Sequence, residues 1–202
     1  MHPYEKINNY QRWTRGVAEK YFTNFEWAIK KTFEINKRHK IVSLGSCFAQ
    51  HIAKNLQTHG FSYLITEDPP KDTQDKDYPF YSALYGNVYT LKQANQLIHR
   101  AKNKLFQVLN DDYWVDQQNN YIDPFRPNIF KTGFKSYEDL IVERKVHLDK
   151  TLQAFSDADV LILTLGLTEG WVERNSDYIL PVAPGVLYGE YNPQKYKFKN
   201  FL

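Results

Sequence analysis

The chain has little of several things, and each shortage excludes something. It holds one cysteine, Cys47, in 202 residues. A single thiol rules out an internal disulfide framework and any metal site built on several cysteines. It fits a reducing compartment, so a cytoplasmic location is expected. Long apolar runs are missing too: no stretch approaches the ~18 residues that mark a membrane span. The opening "MHPYEKINNYQRW" has no apolar centre, so no signal peptide is expected. Net charge is only +3, too small to point to nucleic acid. The basic residues Lys30, Lys31, Lys37, Arg38 and Lys40 are interrupted by Phe33 and Ile35 and read as a solvated helix face. "GSC" and "GLTEG" lack the glycines and the lysine of a phosphate-cradling loop. No set of His, Cys and Asp has metal-ligand spacing. No cofactor is therefore expected.

What is abundant is aromatic, with 15 tyrosines and 13 phenylalanines. Such side chains fill cores and interfaces, and they also line sugar or lipid sites. Residues 1–38 read as an aromatic, basic arm packing on a main domain of residues 39–202. A sugar-binding surface on that arm, through Trp13 and Trp27, is one reading of it. Within the main domain Ile41–Leu44 is a β-branched strand stopped by Gly45. Phe48, Ile52 and Leu56 then recur every four residues, with Ala49 and Ala53 beside them, which is helix spacing. Phe61–Thr66 reads as a second strand, completing a βαβ unit with parallel strands. Asp68–Pro79 is a polar, proline-bearing loop. Thr90 with Gln93, and Ser136 with Asp139, are capping signatures that open two further helices. "FQVL" and "YWVD" around "NDD" predict a hairpin. "DVLILTLG" (Asp159–Gly166) is the most apolar run and reads as a central parallel strand, buried on both faces. Residues 167–202 read as loop-rich. With three clear strands where a doubly wound sheet needs about five, the domain is expected to continue past Leu202.

Ligands of open α/β sheets bind beyond the carboxyl ends of the strands. Two segments leave such ends here, "GSCF" and "GLTEGW", and they carry Ser46, Cys47, Thr168 and Glu169. Cys47 falls in the first turn of a helix, where unpaired N–H groups and the dipole favour an anion. A thiolate there is a better nucleophile, and the same N–H groups can hold an oxyanion. The alternative is a small cysteine packing the helix on the strand. Ser46 reads as the helix N-cap, the role its residue type favours.

The order strand, Gly45, Ser46, Cys47, helix resembles the first block of the GDSL/SGNH hydrolases, whose Gly-Asp-Ser follows the first strand. With "GSCFA" (Gly45–Ala49) the chain is similar to the bacterial GSCFA family, which is grouped with those hydrolases by fold. "HPY" at His2–Tyr4, "GNVYT" at Gly86–Thr90, "DPFRP" at Asp123–Pro127, "TLGLTEGW" at Thr164–Trp171 and "LPVAPGV" at Leu180–Val186 follow in order. The resemblance implies a three-layer α/β/α, flavodoxin-like parallel sheet and an esterase or acyltransferase. Its substrate would be a small-molecule or carbohydrate ester, with O-acyl groups of a bacterial polysaccharide as the analogy. Residue by residue, it puts Cys47 where those enzymes have serine, with Ser46 replacing their aspartate. Gly86 and Asn87 are then candidate oxyanion donors. Thr168 stands at the asparagine position of the Gly-x-Asn-Asp block, and Glu169 replaces its aspartate. Arg126 holds a carboxylate or sugar hydroxyl, or else forms a salt bridge to Asp123 or Glu169. Trp171 walls the site or packs in the core, with packing preferred.

The expected base is missing. None of His2, His39, His51, His59, His99 and His147 follows "GLTE", where the resemblance places the catalytic histidine. His51 and His147 read as surface residues. The base is expected beyond Leu202. The departures at Ser46, Thr168 and Glu169 keep open a second reading, a binding or scaffold domain that retains the shape without turnover.

Overall fold

The computed structural model describes residues 6–19, 33–70, 81–109, 112–130 and 132–201. The chain divides into two units, Met1–Ile35 and Asn36–Leu202. In the first, a 3-10 turn at Asn9–Gln11 precedes a π-helical turn at Thr14–Ala18. Trp13 there is exposed, while Tyr21, Phe22, Phe25, Trp27 and the "HPY" motif lie outside the described residues.

In the second unit β1 (Ile41–Gly45) is buried along its whole length, as its apolar run requires. Helix α1 (Cys47–Thr58) follows at once. Its helical spacing is as expected, but the face turned inward is different. Ala49 and Ala53 are buried, whereas Phe48 is 61% exposed. Small side chains let the helix approach the strand closely, and of the larger stripe Phe48 is left outside while Ile52 and Leu56 are half-buried. Tyr63 alone bridges to Ile41 in parallel, so the expected strand at Phe61–Thr66 is reduced to one contact. The expected loop at Asp68–Pro79 falls mostly outside the described residues.

Helix α2 (Leu91–Asn103) begins with the expected capping box. Gln93 N–H donates to Thr90 Oγ1 at 3.1 Å and Thr90 N–H donates to Gln93 Oε1 at 3.0 Å. Helix α3 (Tyr137–Asp157) is capped likewise, Asp139 N–H donating to Ser136 Oγ at 3.1 Å. Between these helices a short hairpin joins β2 (Trp114–Val115) to β3 (Tyr121–Ile122). It is shifted from the expected one: "WV" forms its first strand, and the turn is at Asp116–Asn120, where Asp116 Oδ1 accepts from Gln118 N–H and Asn120 N–H. Leu44, Tyr85, Val88, Leu97 and Leu148 centre the core where β1, α2 and α3 meet.

β4 (Val160–Thr164) pairs in parallel with β1, Ile41 opposite Val160 and Gly45 opposite Thr164. The expectation that β4 is buried on both faces fails. Leu161 and Leu163, which alternate with half-buried neighbours and so share one face of the strand, are each 41% exposed: that face is left open to solvent. The segment expected to be loop-rich is mostly turns and loops, with a three-stranded antiparallel sheet set within it. β5 (Glu169–Glu173) lies between β6 (Ile179–Leu180) and β7 (Tyr196–Asn200). Trp114, Ile122, Phe125, Leu180 and Tyr196 form its own apolar cluster, with Trp171 packed against them. The unit is thus a mixed α/β fold with a small parallel sheet. No helix among the described residues is long and apolar enough to cross a membrane.

Candidate functional site

The parallel pairing of β1 and β4 puts their carboxyl ends at one rim. Backbone hydrogen bonds tie three segments together there. Val88 N–H donates to the Gly45 carbonyl at 2.8 Å, and Gly166 and Leu167 N–H both donate to the Tyr89 carbonyl at 3.1 Å. "GSCF", "GNVYT" and "GLTE" are therefore neighbours, although they are far apart in sequence. Gly45 is required by the close approach. A Cβ on it would lie 1.9 Å from Thr164 Oγ1. Gly86 takes a left-handed φ of 73°, which glycine adopts without steric cost.

Cys47 is exposed at the first position of α1. Ser46 is half-buried and caps the helix, its Oγ accepting from Phe48 N–H at 3.3 Å. Ala49 N–H donates to the Ser46 carbonyl at 2.9 Å, which leaves the Cys47 N–H without an acceptor among the described residues. Asn87 is held in a polar chain. Its Oδ1 accepts from Tyr81 OH at 3.0 Å and from Gln50 Nε2 at 3.2 Å, and its Nδ2 donates to Tyr89 OH at 3.1 Å. Thr168 is exposed and its hydroxyl donates to Glu169 Oε2 at 2.7 Å, while Glu169 opens β5 opposite Asn200. These segments share the rim but do not line one hollow. Gly86 and Asn87 line a small cavity with Arg126, whereas Gly166 and Thr168 line an open groove beside β4.

The GSCFA family model matches residues 40–201, taking in all three rim segments. The chain belongs to the GSCFA family. No curated protein and no solved structure matches it.

In this GSCFA chain Arg126 lines the small cavity beside Gly86 and Asn87 but is buried there. It is 4% exposed and takes the salt-bridge alternative, with Asp123 at 3.2 Å and with Glu143; Glu169 is not among its partners. A buried polar spine runs on from it. Arg144, fully buried in mid-α3, reaches Asp112 at 2.5 Å and Asp123 at 3.3 Å. His147, one turn on, meets Glu67 at 2.8 Å, contrary to the expectation of a surface histidine. Burial works against charge on Asp123, but Arg144, Arg126 and Arg100 outweigh it and hold the carboxyl below its ordinary range. Burial, then Arg126, push His147 down, so its ring is neutral near pH 7 and Nδ1–H donates to an ionised Glu67. His51 is exposed on α1, as expected.

Two features of the rim escape a reading of the sequence. Gln50 sits three residues after Cys47, on the same stretch of helix, and anchors Asn87. The spacing was visible, but nothing in it pointed to a partner 37 residues away. Tyr81 likewise joins the chain only through the fold.

Proposed function

We propose that this chain is an SGNH-like esterase or acyltransferase, on a three-layer α/β/α sheet, acting on O-acyl groups of a bacterial polysaccharide. The observation that carries the reading is the exposed Cys47 at a rim where the three motif-bearing loops are bonded together. The capping bond of Ser46 makes Cys47 the attacking group of the pair. Its sulfur attacks the acyl carbon, the S–C bond forms, and the ester C–O bond breaks to release the alcohol. Water or an acceptor hydroxyl then resolves the thioester. The free Cys47 N–H, with the Gly86 segment beside it, supplies the oxyanion donors. The thiol proton passes to a base contributed from outside the described residues, since His147 is sealed against Glu67.

The second reading is a silent binding or scaffold domain of the same shape. Its support is specific: the Thr168 hydroxyl is bonded to Glu169, and Arg126 is buried in ion pairs. Hydrolysis of p-nitrophenyl acetate separates the two. Cys47→Ala is expected to abolish turnover and acyl-enzyme formation. Ser46→Ala is expected to keep both while losing about 1 kcal/mol of stability with the cap. Turnover that survives Cys47→Ala would sink the nucleophile assignment.

A further inference from the structure

The amide of Asn87 is gripped by its neighbours. Gln50 Nε2 donates to Asn87 Oδ1 at 3.2 Å and to Tyr81 OH at 2.8 Å, and Tyr81 OH donates to the same Oδ1 at 3.0 Å. Gln50 thus commits both of its amide protons. Tyr81, accepting from Gln50, has its own proton left for Asn87. Both lone pairs of Oδ1 are filled. At the other end Nδ2 donates to Tyr89 OH at 3.1 Å, and its second N–H has no acceptor among the described residues.

Position gives that N–H a use. Gln50 lies three residues after Cys47, so the two are neighbours on one face of α1. Helical side chains lean toward the N-terminus, which brings the Gln50 amide back along the turn that carries Cys47. Val88, next to Asn87 in the chain, donates its N–H to the Gly45 carbonyl at 2.8 Å, two residues before Cys47. Asn87 is therefore pinned beside the first turn of α1 through its side chain and through its neighbour's backbone. It is only half-buried there.

We propose that Gln50 is a positioning residue of the acyl-transfer site, turning the Asn87 amide so that its unused N–H meets the oxyanion formed when Cys47 attacks. The assignment rests on the esterase reading of Cys47. In that step the sulfur, its proton gone to the base, bonds to the acyl carbon and the C=O π pair moves onto oxygen, where Asn87 holds it. The pair returns as the ester C–O bond breaks and the alcohol oxygen leaves with the bonding electrons. Alkylation of the same sulfur by iodoacetamide expels iodide and forms no oxyanion. Two reactions at one atom thus separate the orientation of Asn87 from the general reactivity of the thiol.

The test follows both reactions on the whole chain, with p-nitrophenyl acetate and iodoacetamide, by mass spectrometry of the Cys47 peptide. Gln50→Met keeps the shape of the side chain and removes the donor. It is expected to slow acylation about tenfold or more, a part of the ~10²–10³ that losing such a donor costs, and to leave alkylation unchanged. Gln50→Glu can only accept, so it reverses the amide and is expected to slow acylation relative to alkylation at least as much. On an Asn87→Ala background Gln50→Met is expected to add nothing, because its effect passes through Asn87. Gln57→Met, the same change at an exposed position of α1, is expected to alter neither rate. Circular dichroism confirms that each variant is folded; should Gln50→Met not fold, Gln50→Glu carries the test. The proposal is overturned if Gln50→Met is acylated as fast as the wild type, if acylation and alkylation fall together, or if Gln50→Met slows Asn87→Ala as much as it slows the wild type. A wild-type Cys47 that is alkylated but never acylated would instead sink the nucleophile reading, and the role of Gln50 with it.

Discussion

Gly45 is the residue on which the rim closes. It is paired with Thr164 across the parallel strands, and its carbonyl receives Val88 N–H. A methyl group there would collide with both the hydroxyl and the carbonyl oxygen of Thr164, the latter 2.6 Å away. The obstacle is backbone, which cannot swing aside. Gly45→Ala is therefore expected to cost about 1–3 kcal/mol or more, as overpacking does, measured by urea unfolding. A variant as stable as the parent would show that the strands separate freely at this end. Cys47, two residues on, has no such packing duty. It is exposed, so a role in packing the helix on the strand does not explain it. At this scale the sequence was informative for Ser46 and Gly45, whose duties are set by their neighbours in the chain. It offered the Arg126–Asp123 pair as one of two readings, was silent on Arg144 and placed His147 at the surface. Charged groups on a helix or turn look solvated until their acidic partners, distant in sequence, are seen around them.

Among the elements, the helices were the most legible. Their caps are local, made by residues three apart, so Thr90–Gln93 and Ser136–Asp139 form as read. Thr90→Ala removes the acceptor for Gln93 N–H in a buried setting and is expected to destabilise the protein by about 1 kcal/mol. Thermal melting measures it, and Thr90→Ser should recover most of the loss. An unchanged melting point for Thr90→Ala would mean that the Gln93 side chain alone suffices. The strands were less legible. The run at β4 has the composition of a buried central strand, but burial depends on what lies on each side of it. β1 covers one edge, and Leu161 and Leu163 remain in contact with solvent. The β5–β7 pairing joins residues 23 to 31 apart across a loop with several turn signals, none of which tells which strand the chain returns to, so no local pattern announces it.

For the whole unit Asn36–Leu202, the buried spine makes stability depend on pH. His147 has its folded pKa below the ordinary 6.5, so the unfolded chain binds the proton more readily. That contribution is complete above the unfolded value and is lost as pH falls through it toward the folded one. Glu67 and Asp123 are also held below their ordinary values of 4.5 and 3.8. Their contribution persists above those values and is lost further down the acid range. The urea midpoint is therefore expected to fall in two stages, first between about pH 7.5 and 5.5, then below about pH 4.5. Identical midpoints at the two ends of the upper stage would show that His147 is not titrating against the fold.

The sequence by itself determined whatever depends on residues close together in the chain: strand, glycine, cap and cysteine in the order Gly45, Ser46, Cys47, the helix starts, and membership of the GSCFA family. Tertiary structure alone decided which of those pieces touch. It joined the three loops at one rim, withdrew Arg126 and His147 into ion pairs, and left one oxygen of Asp112 without a donor. The physical reason is range. Capping and backbone preference act over a few residues, whereas desolvation and charge pairing act through space and take their sign from neighbours the chain brings in from far away.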